Sequence, residues 1–200
     1  MRVVLATANA GKVVEMRRLL AAQAPYVEVL GLADVQAYEP GPETGATFAA
    51  NALAKALEAV EATGLPAVAD DSGLTVDALN GMPGVLSARW AGRHGDDRAN
   101  LELVLGQLAD VPDERRGAGF VCAAAYALPD GRSEVVHGEV RGTLLRAPRG
   151  TGGFGYDPIF LPEGMALTSA ELSPHDKDRI SHRGQALRLL VPRLVDVLRA

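Results

Sequence analysis

Two adjacent carboxylates, Asp70 and Asp71, follow the strand-like run AVA in the segment AVADDSGL. Side chains alternate across a strand, so one of the pair is expected to face any given site. Carboxylates at a strand end suit magnesium, a hard cation that takes one or two carboxylates and shares its substrate's phosphates. Ser72 and Gly73 then read as a turn. An acid-rich turn is the bland alternative, but two acids behind a buried-looking strand favour a functional reading.

Four further segments carry residue types able to do chemistry. In LATANAGKVVEMRRLL a strand ends at Thr7, a short loop follows through Ala8, Asn9 and Ala10, and a helix opens near Gly11 and Lys12. Free N–H groups at a helix start and the positive end of its dipole attract phosphate, and Lys12 adds a full charge. The loop is not a Walker A loop: its first glycine is missing, and Val13 stands where Ser or Thr would meet magnesium. An ordinary joint capped by Asn9 weighs equally. In ETGATFAANALAKALEAVEATG, Thr47 can cap a helix that stacks Asn51 and Lys55 on one face, with Glu43 on the loop before it. A polar pair at that spacing is more often solvated surface than site.

RGTGGFGYDPIFLPEG is rich in glycine, which permits close backbone approach to a ligand. Phe154 and Tyr156 offer faces for stacking a base, Gly155 lies between them, and Asp157 offers acceptors. A glycine and aromatic hairpin turn competes. In LSPHDKDRISHRGQAL, Ser181 caps a helix and leaves His182 and Arg183 in its first turn, with Lys177 upstream. Basic residues are unfavourable beside the positive end of a helix dipole, a local conflict that points to a ligand. Lysine usage sharpens these readings. Of 20 basic residues only Lys12, Lys55 and Lys177 are lysines, so a compact point charge stands where the chain otherwise uses the arginine fork.

The elements that must hold these residues follow from periodicity. Strand-like runs cover 2–7, 27–31, 66–70, 118–128 and 133–141, the last two reading as a hairpin. Helical periodicity covers 12–22, 48–62, about 96–109 and 182–199, where Leu187, Leu190, Val191, Leu194 and Leu198 form a stripe that Pro192 should kink. Residues 33–45 read as a long surface loop. Strands alternating with helices predict an α/β protein with a mixed sheet.

Two hundred residues suit one domain, spanning 1–200 and built as two lobes around a cleft. A net charge of −5 argues against a nucleic-acid binder and requires any triphosphate site to gather cations locally or recruit a metal. The single cysteine, Cys122, lies in apolar FVCAAA and reads as a buried, reduced thiol. No stretch approaches the ~18 apolar residues of a membrane helix. The expectation is a cytoplasmic protein with no membrane or nucleic-acid partner.

Read together, TANAGK, ETGATFAANALAKA, ADDSGL, GMPGVLSARWAG, GTGGFGYDPIF and SHRGQAL resemble the signature blocks of the inosine triphosphate pyrophosphatase family. That family hydrolyses ITP, dITP and XTP to monophosphate and pyrophosphate, clearing non-standard purines from the nucleotide pool. The resemblance spans Thr7 to Leu187, and all three lysines fall inside matched blocks. It implies a long central mixed sheet with flanking helices, two lobes around an active-site cleft, usually as a homodimer, and Mg²⁺ as cofactor. It implies that Thr7, Ala8, Asn9, Ala10, Gly11 and Lys12 hold the triphosphate with Lys55 nearby. Glu43 and Asp71 are implied as magnesium contacts, with Asp71 also the base. Ser72, Phe154, Gly155, Tyr156, Asp157, Lys177, His182 and Arg183 are implied as substrate contacts. Leu86 and Trp90 depart from the family, which usually has Tyr there, and put local packing or the dimer contact in question.

Release of pyrophosphate requires water to attack the α-phosphorus, a reaction governed by positioning and charge neutralisation. Asp70 could ligate while Asp71 acts, or Asp71 could do both; strand alternation favours Asp71 for both. Hypoxanthine and xanthine carry an oxygen at position six where adenine has an amino group, so donors from Arg183, His182 or backbone N–H groups would discriminate between them, at ~1–3 kcal/mol per donor left unpaired. Two other readings fit fewer of the residues: a pyrophosphatase for modified pyrimidine triphosphates, and a purine-nucleotide sensor without turnover. The FGYD and SHR blocks weigh against the first, and the acids Glu43, Asp70 and Asp71 against the second.

Overall fold

The computed structural model describes residues 1–7, 10–35, 38 and 40–199, with only the backbone described for Ala10, Gly11, Lys12, Glu15, Leu19, Ala22, Gln23 and Pro174. Among the described residues six strands form one sheet: β1 (Arg2–Leu5), β2 (Glu28–Leu30), β3 (Ala67–Val76), β4 (Gly117–Ala127), β5 (Ser133–Leu144) and β6 (Phe160–Pro162). Their spatial order is β2-β1-β3-β4-β5-β6. β1 runs parallel to β2 and β3, with Val3 opposite Val29 and Val4 opposite Ala67. β5 and β6 are antiparallel, with Thr143 opposite Leu161, so the sheet is mixed as expected. The α-helices among the described residues are α1 (Ala10–Gln23), α2 (Phe48–Thr63), α3 (Asp97–Gln107), α4 (Pro174–Ile180) and α5 (His182–Arg199).

The chain divides into two compact units. One comprises 1–71, 122–137 and 185–200; the other comprises 72–121 and 138–184. In the first, strand alternation sorts the core into two layers. Val3, Leu5, Val68, Cys122, Ala124 and Tyr126 pack with α1 (Val13, Met16, Leu20) and with the α5 stripe of Leu187, Leu190, Val191 and Leu194. Each fully buried leucine contributes roughly 1.5–3 kcal/mol. The intervening strand positions, Ala69, Ala123, Ala125 and Ala127, pack with Ala52 and Ala56 of α2, while Val4 and Ala67 join Ala59. With alanines alone at the buried positions of this cluster, α2 can lie close to β3 and β4, within reach of short polar side chains. The helix starts where Thr47 Oγ1 accepts the Ala50 N–H at 3.1 Å, and Gly64 ends it in the left-handed region at φ 68°.

The second unit has its own core of Leu74, Val76, Leu101, Val104, Leu108, Leu144, Tyr156, Ile159 and Phe160. The Arg116 guanidinium is buried there and donates to the carbonyls of Leu108, Leu144 and Leu145, so one cation ties the end of α3 to the end of β5. Burial, reinforced by repulsion from Arg146, lowers its pKa from the usual arginine value.

Two expectations need correction. β3 does not end at the two acids; it runs ten residues, through Asp70, Asp71, Ser72 and Gly73. Gly73 serves close packing rather than a turn, because a Cβ there would lie 2.7 Å from Gly84 O and collide with Ser87 Oγ. α5 carries Pro192 within it and runs to Arg199. α4 and β6 were not read from the sequence, both being shorter than a periodicity window. Among the described residues, no helix is long and apolar enough to cross a membrane.

Candidate active site

In the first unit, alternation along β3 sends the two acids to opposite faces. Asp71 continues the Ala67–Ala69 row toward α2. Asp70 continues the Val68 row, where its Oδ2 lies 4.0 Å from Cys122 Sγ. Three residues from α2 and the loop before it converge on Asp71. Asn51 Nδ2 donates to Asp71 Oδ2 at 2.9 Å. Lys55 Nζ lies 3.7 Å from Asp71 Oδ1 and 2.7 Å from Glu43 Oε1. Asn51 Oδ1 in turn accepts the Gly45 N–H at 2.7 Å. Two carboxylates thus share one half-buried ammonium. Asp71 is buried and Asn51 only 2% exposed, so these charges meet where water screens them poorly.

Hard oxygen donors gathered around a positive charge are the donor chemistry magnesium uses. Among the described residues no group of three or more His, Cys, Asp or Glu gathers as a self-sufficient metal site. A pair of carboxylates fits a cation that completes its shell with phosphate and water. Within loop 7–12, Ala8 and Asn9 lie outside the described residues, as do the side chains of Ala10 and Lys12. Thr7 is partly exposed just after β1, and the α1 backbone begins at Ala10, where the sequence placed a helix start.

The second unit gathers the remaining expected residues. Arg183 Nη2 donates to Ser72 Oγ at 3.2 Å. His182 stacks on Phe120 at a centroid distance of 5.2 Å and an interplanar angle of 14°, and Phe120 packs on Phe160 at 4.6 Å. Ser181 caps α5 as expected, its Oγ accepting the Gly184 N–H at 2.9 Å. Asp157, buried, accepts both the Phe154 N–H at 2.8 Å and the Lys177 ammonium. Lys177 Nζ also lies 4.8 Å from the centre of the Phe154 ring, a cation–π contact. That ring is 64% exposed, a stacking face open to a ligand.

Tyr156 differs from expectation. It is 5% exposed, packed in the core, and its hydroxyl donates to Ser87 O at 2.8 Å. It offers no face for stacking. Burial, with a contribution from the charge on Asp97, pushes its pKa well above the usual tyrosine value. The glycines of this segment also approach the chain itself: a Cβ at Gly150 or Gly152 would lie 2.8 Å from Ala170 O, and one at Gly153 would strike Asp157. Gly155 N–H is held by Asp97 Oδ2 at 2.8 Å, so α3 latches the segment. Trp90, one of the two departures, packs beside the second core and donates to Gln107 Oε1 at 2.9 Å, a contact internal to this unit.

Sequence reading missed Asn51, Phe120 and Asp97. Asn51 has the spacing of a pair more often solvated than functional; its one available signal is its position beside Ala52 and Ala56 on the buried stripe of α2. Phe120 carries no signal beyond a strand position, and Asp97 none beyond that of an acid at a helix start.

Solved structures define the class. The chain is similar to the Staphylococcus aureus Ham1 protein, with a TM-score of 0.90 and 38% identity over 98% of this chain and 99% of that one. It is also similar to a nucleoside-triphosphatase / dITP/XTP pyrophosphatase from Mycobacterium abscessus, with a TM-score of 0.83 and 57% identity over 96% of this chain and all of that one. A dITP/XTP pyrophosphatase of Streptomyces coelicolor is 60% identical over 198 residues, covering 98% of each chain. The Ham1 family model matches residues 3–193. The chain belongs to the Ham1 family, and the resemblance to inosine triphosphate pyrophosphatases read from its blocks holds.

Proposed function

We propose that this chain hydrolyses dITP, ITP and XTP to the monophosphate and pyrophosphate, and so removes non-standard purines from the nucleotide pool. The observation that carries the reading is the convergence of Asp71, Glu43 and Lys55: one ammonium lies 3.7 Å from the buried Asp71 carboxylate and 2.7 Å from the Glu43 carboxylate. The names of relatives near 60% identity over almost the whole chain support the same reaction.

Asp71 is the general base. Its carboxylate orients a water and takes its proton as the oxygen attacks the α-phosphorus; the bond to the bridging oxygen breaks and pyrophosphate leaves. Fixed groups of this kind act mainly by positioning and by neutralising charge. Glu43 and Asp71 would hold Mg²⁺, which when bound neutralises phosphate charge. Lys55 and Lys12 supply point charges toward the triphosphate, with Thr7, Ala8, Asn9, Ala10 and Gly11 providing backbone donors. Phe154 stacks the purine, and Lys177, held by Asp157, keeps that ring in place. Ser72, Gly155, Tyr156, Asp157, His182 and Arg183 complete the substrate contacts, Tyr156 through its backbone. Arg183 and His182 donate toward the six-oxygen of hypoxanthine or xanthine, so adenine would leave them unpaired. The proposal extends to a homodimer working in the cytoplasm, with no nucleic-acid partner.

Pyrophosphate release from ITP, XTP, ATP and a methylated pyrimidine triphosphate, with and without Mg²⁺, tests this reading. Turnover of ITP and XTP well above the others, lost on chelation, is expected. Preference for the pyrimidine, or binding of ITP without turnover, would contradict it.

A further inference from the structure

Asn51 is the one polar residue among the buried positions of α2, the others being Ala52, Ala56 and Ala59. The orientation of its carboxamide is fixed by its neighbours. The Gly45 N–H can only donate, so the atom 2.7 Å from it is the amide oxygen. The amide nitrogen therefore points to Asp71 Oδ2 at 2.9 Å, where a carboxylate can only accept. One acceptor and one donor on a short branched side chain are required, and neither Asp nor Ser supplies both at that reach.

These bonds form one closed circuit with the charged groups. Gly45 lies two residues after Glu43, and Lys55 one helical turn after Asn51. Glu43 Oε1 accepts from Lys55, Lys55 faces Asp71 Oδ1, Asp71 Oδ2 accepts from Asn51, and Asn51 accepts from the loop that carries Glu43. Gly45 is needed for closure, because a Cβ there would lie 2.5 Å from Asn51 Oδ1 and 3.0 Å from the Asn51 nitrogen. A carboxylate held at one oxygen cannot rotate freely about its own axis.

We infer that Asn51 is a positioning residue: its amide nitrogen holds Oδ2 of Asp71 so that Oδ1 is the oxygen presented beside Lys55 and Glu43, while its amide oxygen sets the loop bearing Glu43 at matching height. This deepens the proposed hydrolysis and rests on it. Both ends of its carboxamide are engaged, by Gly45 and by Asp71, so it acts on the rate through Asp71 and leaves substrate affinity to other residues.

The test is steady-state hydrolysis of ITP with Mg²⁺ by the full chain and by N51A and N51D, with thermal melting of each. In N51D an acceptor for Gly45 remains while the donor to Asp71 becomes a second carboxylate, so loop anchoring and aspartate positioning are separated. Both variants are expected to lose about 100-fold in kcat, the scale for a misplaced reacting group, with KM changed less than about threefold. A residue that merely holds the fold together would not give that split. The double variant N51D/D71N restores a donor–acceptor pair in reverse and is expected to regain the melting temperature lost in N51D while remaining inactive. Native turnover with kcat in both single variants within about threefold of native overturns the inference alone, as does a loss confined to KM. Failure of N51A to fold leaves the decision to N51D and the double variant. No turnover of ITP by the native chain overturns the hydrolase reading, and this inference with it.

Discussion

Lys55 Nζ lies 2.7 Å from Glu43 Oε1, and the same ammonium faces the buried Asp71, so one cation on α2 holds together a carboxylate of β3 and one of the loop before the helix. Removing it leaves two like charges confronting one another in a poorly screened place. Lys55→Met is expected to lower kcat/KM for ITP by about 10²–10³-fold, the scale for deleting one fixed electrostatic contact. Lys55→Arg should recover only part of this, because the planar fork cannot take the position of a point charge. Kinetics of Lys55→Met within about threefold of native would remove Lys55 from the account.

Phe154 is exposed because its backbone is pinned by Asp157 while its ring is left in water beneath Lys177. Phe154→Ala should raise KM for ITP about tenfold or more, since stacking a base on an aromatic ring is worth roughly 1–3 kcal/mol. Its melting temperature should stay at the native value, because the ring packs little core. An unchanged KM would leave base stacking to some other group.

Tyr156 has the opposite balance: a core ring whose hydroxyl bonds Ser87 O at 2.8 Å. Tyr156→Phe should cost about 0.5–1.5 kcal/mol of stability and leave kcat for ITP unaltered. The pH dependence has a definite sign. The folded-state pKa is raised above the ordinary value of 10.0, chiefly by burial. The hydroxyl's contribution is therefore complete below that value and is lost as pH climbs above it toward the folded-state pKa. The stability gap between native and variant, measured by denaturant melts, should be constant up to about pH 9 and shrink above about pH 10. A gap that widened with alkali would reverse the argument.

Gly73→Ala addresses the mid-strand glycine. The added methyl would meet Gly84 O at 2.7 Å, a backbone atom that cannot swing away, together with Ser87 Oγ. Overpacking of this kind costs about 1–3 kcal/mol, and the loss should appear in denaturant midpoint. A variant as stable as the native chain would show that this part of the second unit yields easily.

Much of this was legible in the chain itself, for physical reasons. The α5 stripe and the strand runs are set by periodicity, and the helix starts by Thr47 and Ser181, whose side chains both cap as expected. Alternation correctly separated Asp70 from Asp71. What periodicity cannot supply is depth. Asn51 and Lys55 obey the spacing of a solvated face, yet a layer whose buried positions are alanines brings α2 close enough to β3 to bury the first and half-bury the second. Gly73 looked like a turn because glycine is ambiguous between freedom and lack of bulk, and only the position of Ser87 decides which applies. Tyr156 looked like a stacking face because ring chemistry is visible in sequence and ring burial is not.

The central claim is that Asp71 directs water to the α-phosphorus. Hydrolysis of ITP in water enriched in ¹⁸O, with mass analysis of both products, tests it most directly. Attack at the α-phosphorus places one heavy oxygen in the monophosphate and none in pyrophosphate, and Asp71→Asn should slow that reaction by about 10²–10⁴-fold. Label in pyrophosphate, or release of orthophosphate in its place, would show attack at a different phosphorus and contradict the account.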